Sequence, residues 1–139
     1  MCSAPEAFKF PIRVYIEDTD VGGIVFYANY LKYFERARTE FVRNLGFELR
    51  AGFNGGVSYV VHSLNLRYLQ PATLDQVLDV TASIDKLGRT YMDFKQAVYD
   101  ENGTCLVEGS VRVACVSLAC GKPRALPTEL KDVLVLAPR

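Results

Sequence analysis

"IRVYIEDTDVGGIVFYANYLKYFERARTEFVRNLG", residues 12–46, changes its hydrophobic period halfway along. Over residues 12–17, Ile12, Val14 and Ile16 alternate with Arg13, Tyr15 and Glu17, which is the period of a half-buried strand. From about Ala28 to Leu45 the period becomes three to four. Tyr30, Phe34, Ala37, Phe41 and Leu45 form one stripe, with Leu31 and Val42 flanking it, as in a helix that buries one face. A helix of that length would span about 27 Å. Gly46 stands where a helix commonly ends in a left-handed turn. Arg36/Glu40 and Glu40/Arg43 lie at helical spacing and are expected on its solvent side.

Beyond a glycine-rich loop, "AGFNGG" (51–56), the pattern is that of strands. Val60, His62, Leu64, Leu66 and Tyr68 alternate with Ser63, Asn65 and Arg67 until Pro71 breaks the run. Leu78, Val80, Ala82 and Ile84 alternate with Asp79, Thr81 and Ser83. The turn "KLGRT" (86–90) leads into "YMDFKQAVY", and "DENG" (100–103) signals a hairpin. A last strand is expected from about Thr104 to Leu118, with Val107, Val111, Val113 and Cys115 on one face. Pro123 and Pro127 are expected to loosen the tail. One strand, one long helix and four more strands joined by short turns imply an α+β domain, a five-stranded antiparallel sheet that buries the stripe of a single helix. One helix covers such a sheet incompletely, so at least a dimer is expected.

A length of 139 residues, half of them hydrophobic, suits one domain with a sizeable core, taken here as residues 1–139. Sixteen basic and sixteen acidic residues cancel, which argues against nucleic acid or an anionic membrane surface as partner. The stretch "MCSAPEAFKFPIRVY" lacks the apolar run of a secretory signal, and no segment approaches the roughly 20 apolar residues of a membrane span. A cytoplasmic location is expected. The four cysteines (Cys2, Cys105, Cys115, Cys120) form no CxxC pair; Cys105 and Cys115, at inward parity, read as reduced, buried residues. With His62 as the single histidine, no metal site is expected. His62 also has inward parity and reads as a satisfied core residue. There is no GxSxG elbow for a Ser-His-Asp hydrolase.

Chemistry concentrates at the mouth of the helix. The first amides of a helix have no internal acceptor, and the dipole adds partial positive charge there. Glu17, Asp18 and Asp20 come just before it, with Gly22 and Gly23 between. A carboxylate in such a place caps a turn or serves as a catalyst. Asp20 lies too far back to cap a helix that begins near Asn29. The paired glycines let a backbone approach a ligand closely, so that a carbonyl could sit between carboxylate and amides.

The phrases "VYIEDTD", "GGIVFYANY", "ERARTE" and, far downstream, "KPRALP" resemble the 4-hydroxybenzoyl-CoA thioesterase family of hotdog-fold acyl-CoA thioesterases, over residues 10–127. The resemblance is closest to the subfamily associated with the bacterial Tol-Pal envelope system. It implies the hotdog fold, in which an antiparallel sheet wraps one long helix, and homodimers or homotetramers. It also implies hydrolysis of an acyl-CoA, or an acyl carrier protein thioester, with no cofactor beyond the coenzyme A of the substrate. On this resemblance Asp20 is the catalytic carboxylate, as nucleophile or as general base, and the main-chain N–H near Tyr27 holds the thioester oxygen. Gly23, Lys86, Arg89 and Thr90 become substrate-binding candidates, with Lys122 and Arg124 as weaker ones. The chain departs from the subfamily at Ile16, where Tyr is usual, and at Tyr27, where His is usual. A non-catalytic acyl-thioester binder on the same fold is the alternative those departures raise.

Overall fold

The structure, a computed structural model, describes residues 8–47, 49 and 53–137. The chain runs β1 (Phe8–Arg13), a 3-10 turn (Ile16–Asp18), α1 (Asn29–Asn44), the short α2 (Phe53–Gly56), β2 (Val57–Tyr68), β3 (Val77–Leu87), β4 (Tyr91–Tyr99), β5 (Cys105–Ser117) and α3 (Thr128–Leu136). The five strands form one antiparallel sheet in the order β1-β3-β4-β5-β2. The expected α+β architecture, one long helix against a five-stranded antiparallel sheet, is what the chain adopts.

α1 lies over β3 with contacts to β1 and β4. Its stripe of Tyr30, Phe34, Ala37 and Phe41 is buried against Leu78, Val80, Ala82 and Ile84 of β3 and Phe94 of β4. Phe41 meets Phe94 and Phe8 edge-on, at ring centroid distances of 6.1 and 5.7 Å. Each buried phenylalanine contributes about 2–3 kcal/mol. The helix ends as expected. At φ +90°, Gly46 donates its N–H to the Arg43 carbonyl (2.9 Å), and the Phe47 N–H reaches back to Val42 (3.2 Å). On the solvent side, Arg43 pairs with Glu40.

Four expectations need correction. The first strand spans Phe8–Arg13 rather than 12–17. Ile16 leaves it for the 3-10 turn and is 75% exposed, because the Asp18 carboxylate draws in the Tyr15 N–H (2.8 Å) and bends the chain. The tail is not loosened but forms α3, with Leu130 and Leu134 fully buried; Pro127 stands just before its first residue, where a missing N–H costs nothing. Cys105 is half-buried rather than buried, whereas Cys115 is buried; Cys2 lies outside the described residues.

The fourth correction concerns His62. A β-bulge between Val61 and Ser63 places two residues of β2 where one would fit, so His62 faces solvent with Nδ1 3.5 Å from the Ser63 hydroxyl. Past the bulge, Leu64 pairs with Val111, Leu66 with Gly109 and Tyr68 with Val107, so these three share the face of the buried β5 residues. Leu64 and Tyr68 are nonetheless exposed, because α1 packs over β3 and reaches β2 at its first turn, where Tyr30 meets one side of the Tyr68 ring.

The same pairing explains Gly109. A Cβ there would run into the Asn65 carbonyl of β2. Gly109→Ala is therefore expected to lower stability by about 1–3 kcal/mol through displacement of β2, read as a fall in midpoint in urea unfolding. An unchanged midpoint would show that β2 yields freely.

Candidate active site

The loop into α1 is a small hairpin. Thr19 pairs with Val25, and the Asp20 N–H donates to the Ile24 carbonyl at 2.9 Å. The Gly23 N–H closes the turn on the Asp20 carbonyl at 3.0 Å, with Gly23 at φ +83°, a conformation side chains disfavour. The Gly22 N–H donates to Asp20 Oδ1 at 2.8 Å, and a Cβ on Gly22 would stand 3.2 Å from that oxygen. So the paired glycines divide their work: Gly22 brings its backbone onto the carboxylate, and Gly23 turns the chain. Asp20 is exposed, and its second carboxylate oxygen has no partner among the described residues.

Asp18 is differently employed. Its carboxylate takes the Tyr15 N–H, and its carbonyl takes both the Phe26 N–H (2.9 Å) and the Asn29 side-chain amide (2.8 Å). It ties the 3-10 turn, the hairpin and the first residue of α1 together. Tyr33, buried beneath, makes no hydrogen bond through its hydroxyl among the described residues. Burial first, and then the Asp18 carboxylate, push its pKa well up. Of the acids at the mouth, Asp18 is committed to holding the loop. Asp20, by contrast, is exposed, and only its Oδ1 is held, by the Gly22 N–H.

The hairpin is docked on the β2–β3 connection through Val25 N–H to Ala72 carbonyl (2.9 Å) and the Ile24–Thr73 bridge. The Ala72 N–H donates to the Tyr30 hydroxyl at 3.2 Å. The Tyr27 side chain is 63% exposed, tilted against Phe26 and edge-on to Tyr68, and its N–H has no acceptor among the described residues. A carboxylate with a free oxygen and an unclaimed helix-mouth amide are the two parts that acyl transfer to water requires: a group to activate or replace water, and a donor for the developing oxyanion.

The remaining candidates are elsewhere. Lys86, Arg89 and Thr90 stand at the C-terminal end of β3, whereas the mouth lies by its N-terminal end, where Arg13 pairs with Val77. An eleven-residue strand separates them by about 30 Å. One chain therefore does not bring them to Asp20. It does bring them to the tail: Arg89 accepts the Leu126 N–H (2.9 Å), and Lys122 and Arg124 run beside β5 through bonds to Ser117 and Cys115. Among the described residues no cluster of three or more His, Cys, Asp or Glu stands ready for a metal ion. Nor, among the described residues, is any helix long and apolar enough to cross a membrane.

Sequence reading missed Tyr68. Its hydroxyl donates to the Tyr27 carbonyl at 3.1 Å across 41 residues of chain, and nothing in its own spacing points there. Also missed was the buried polar node where Arg38 of α1 donates to Gln96 of β4 (2.9 Å).

Comparison with known proteins bears on the family and the fold. The sequence profile of the Thioesterase superfamily matches residues 22–107. The chain is 40% identical over 123 residues to the acyl-CoA thioester hydrolase YbgC of Escherichia coli O6:H1, covering 88% of this chain and 92% of that protein. It is 41% identical to the acyl-CoA thioesterase YbgC of Haemophilus influenzae, over 89% and 91% of the two chains. A crystal structure of a probable thioesterase from Bartonella henselae superposes with a TM-score of 0.81 at 34% identity, covering 87% of this chain and 99% of that one. The chain belongs to the thioesterase superfamily and carries its hotdog fold.

Proposed function

We propose that this protein hydrolyses an acyl-CoA thioester to the free acid and coenzyme A, with Asp20 as the reacting carboxylate. The observation that carries the reading is the different placement of the two aspartates: each carboxylate accepts one main-chain N–H, but Asp18 is half-buried above Tyr33 with its carbonyl tying the loop to α1, whereas Asp20 is exposed with its second oxygen unclaimed among the described residues. As general base, Asp20 takes a proton from water, whose oxygen attacks the thioester carbonyl. The negative charge that develops on the carbonyl oxygen is met by the Tyr27 N–H. Collapse breaks the C–S bond, and the leaving thiolate takes the proton back. As nucleophile, Asp20 would attack the carbonyl itself and expel the thiolate, and water would then cleave the mixed anhydride. In either course the amide contributes through pre-aligned charge stabilisation, worth about 2–4 kcal/mol per donor. The carbon, sulfur and oxygen chemistry needs no cofactor beyond the substrate's own coenzyme A.

The assembly proposed is a homodimer or a homotetramer of such dimers, built on β2. This edge strand presents Val61 and Leu64, each nearly half exposed, on the face that α1 leaves uncovered. Coenzyme A reaches Lys86, Arg89 and Thr90 only if a second copy brings that turn to the mouth. An acyl carrier protein thioester would use the same carboxylate and amide.

The test is release of thiol from short, long and benzoyl-type acyl-CoAs, run beside thermal shift with the same compounds. Turnover on at least one class is expected. Thermal protection without thiol release would overturn the hydrolase in favour of a binder.

A further inference from the structure

Two consecutive peptide units form the mouth of α1, and each has its carbonyl occupied. The Phe26 carbonyl accepts the Asn29 N–H at 2.8 Å, and the Tyr27 carbonyl accepts the Tyr68 hydroxyl at 3.1 Å. In a trans peptide the N–H points opposite to the C=O, so a held carbonyl holds the amide on its far side. Those amides belong to Tyr27 and Ala28, and neither has an acceptor among the described residues. The first bond is local to the helix turn. The second comes from the sheet.

Tyr68 is well placed for such a hold. As the last residue of β2 it pairs with Val107, and just beyond it the Leu69 and Gln70 N–H groups both donate to the Leu106 carbonyl, at 2.8 and 3.1 Å. Its ring stands edge-on to Tyr27 (6.3 Å, 89°) and tilted against Tyr30 (5.7 Å). Burial first, and then the neighbouring Tyr27, raise its pKa, in keeping with a phenol that donates to the Tyr27 carbonyl. A carbonyl that accepts a hydrogen bond also makes the N–H of its own peptide a better donor.

We propose that Tyr68 is a positioning residue for the reaction: its hydroxyl, fixed by the sheet, holds the Tyr27–Ala28 peptide and thereby aims the Ala28 N–H, as a second donor beside that of Tyr27, at the thioester oxygen. This rests on the reading that Asp20 and those amides hydrolyse a thioester. Because the rings pack through their faces and edges, Tyr68→Phe removes the hydroxyl alone, whereas Tyr68→Ala removes the packing too.

The experiment measures kcat, KM and melting temperature for Tyr68→Phe, Tyr68→Ala and Asp20→Asn on whichever acyl-CoA the native protein turns over fastest. Tyr68→Phe is expected to lose about tenfold in kcat, with KM within about twofold, the loss of one neutral hydrogen bond in the transition state. Relative to Tyr68→Ala, the phenylalanine should restore melting temperature but not kcat. Native kcat in Tyr68→Phe, with Asp20→Asn inactive, would overturn the positioning role and leave the hydrolase standing. A kcat loss matched by a rise in KM would overturn it in favour of substrate contact. An active Asp20→Asn would overturn both.

Discussion

Asp20→Asn is expected to lower kcat by about 10²–10⁴-fold while leaving the fold intact. Asparagine has the shape of aspartate, and its side-chain oxygen still accepts the Gly22 N–H that Asp20 Oδ1 accepts at 2.8 Å. The main-chain bonds from Asp20 to Ile24 and from Gly23 to Asp20 do not involve the side chain. What disappears is the negative charge on the open oxygen. An amide neither takes a proton from water at neutral pH nor attacks a thioester, so both courses of the reaction stop. Asp18→Asn provides the contrast: it keeps an acceptor for the Tyr15 N–H and should retain turnover within about threefold, since its role is to hold the loop. Thiol release and melting temperature for the two variants decide the matter. Asp20→Asn turning over at the native rate would remove the mechanism, and an inactive but folded Asp18→Asn would move it to the other acid.

The helix and the hairpins β3–β4 and β4–β5 were legible because their signals are local. The stripe from Tyr30 to Phe41, the glycine at 46 and the Asp100–Gly103 turn each state their geometry within a few residues; Asp100 Oδ1 accepts both the Asn102 and Thr104 N–H groups at 2.9 Å. β2 misled because alternation assumes an unbroken pleat. One bulge reverses the parity of everything before it relative to everything after, so His62 turned outward while Leu64, Leu66 and Tyr68 kept the inner face. α3 was hidden by prolines that read as breakers but stand before the helix, where they are tolerated. At the site, the sequence brought out Asp20, Gly22 and Gly23 because they are neighbours. It gave no distance between Asp20 and the Lys86–Thr90 turn, and a strand of about 30 Å lies between. Tyr68 and Gln96 act across the fold, and pairings of that kind leave no periodicity to read.

Gln96→Leu should be the most destabilising of the polar substitutions, at about 2–4 kcal/mol. Gln96 is 2% exposed; its amide donates to the Phe34 carbonyl (3.0 Å) and the Thr81 carbonyl (3.1 Å), and its oxygen takes a hydrogen bond from Arg38 (2.9 Å). One side chain of β4 thus joins α1 to β3. Leucine fills similar space, so no large cavity opens. The cost comes from the Arg38 guanidinium, 8% exposed, whose pKa burial already pulls down against the pull of Glu35. Without Gln96 that charge loses its acceptor in a place water reaches poorly. In melting temperature the loss corresponds to about 8–15 °C for a chain of this size. If the stranded charge is the cause, Arg38→Met added to Gln96→Leu should recover at least about half of it, because removing both partners costs less than removing one. A double variant no more stable than Gln96→Leu would instead place the cost in the carbonyls of Phe34 and Thr81. The node grips α1 at Phe34 and Arg38, about one and a half and two and a half turns beyond Asn29, so it also sets where the mouth of the helix stands over the sheet.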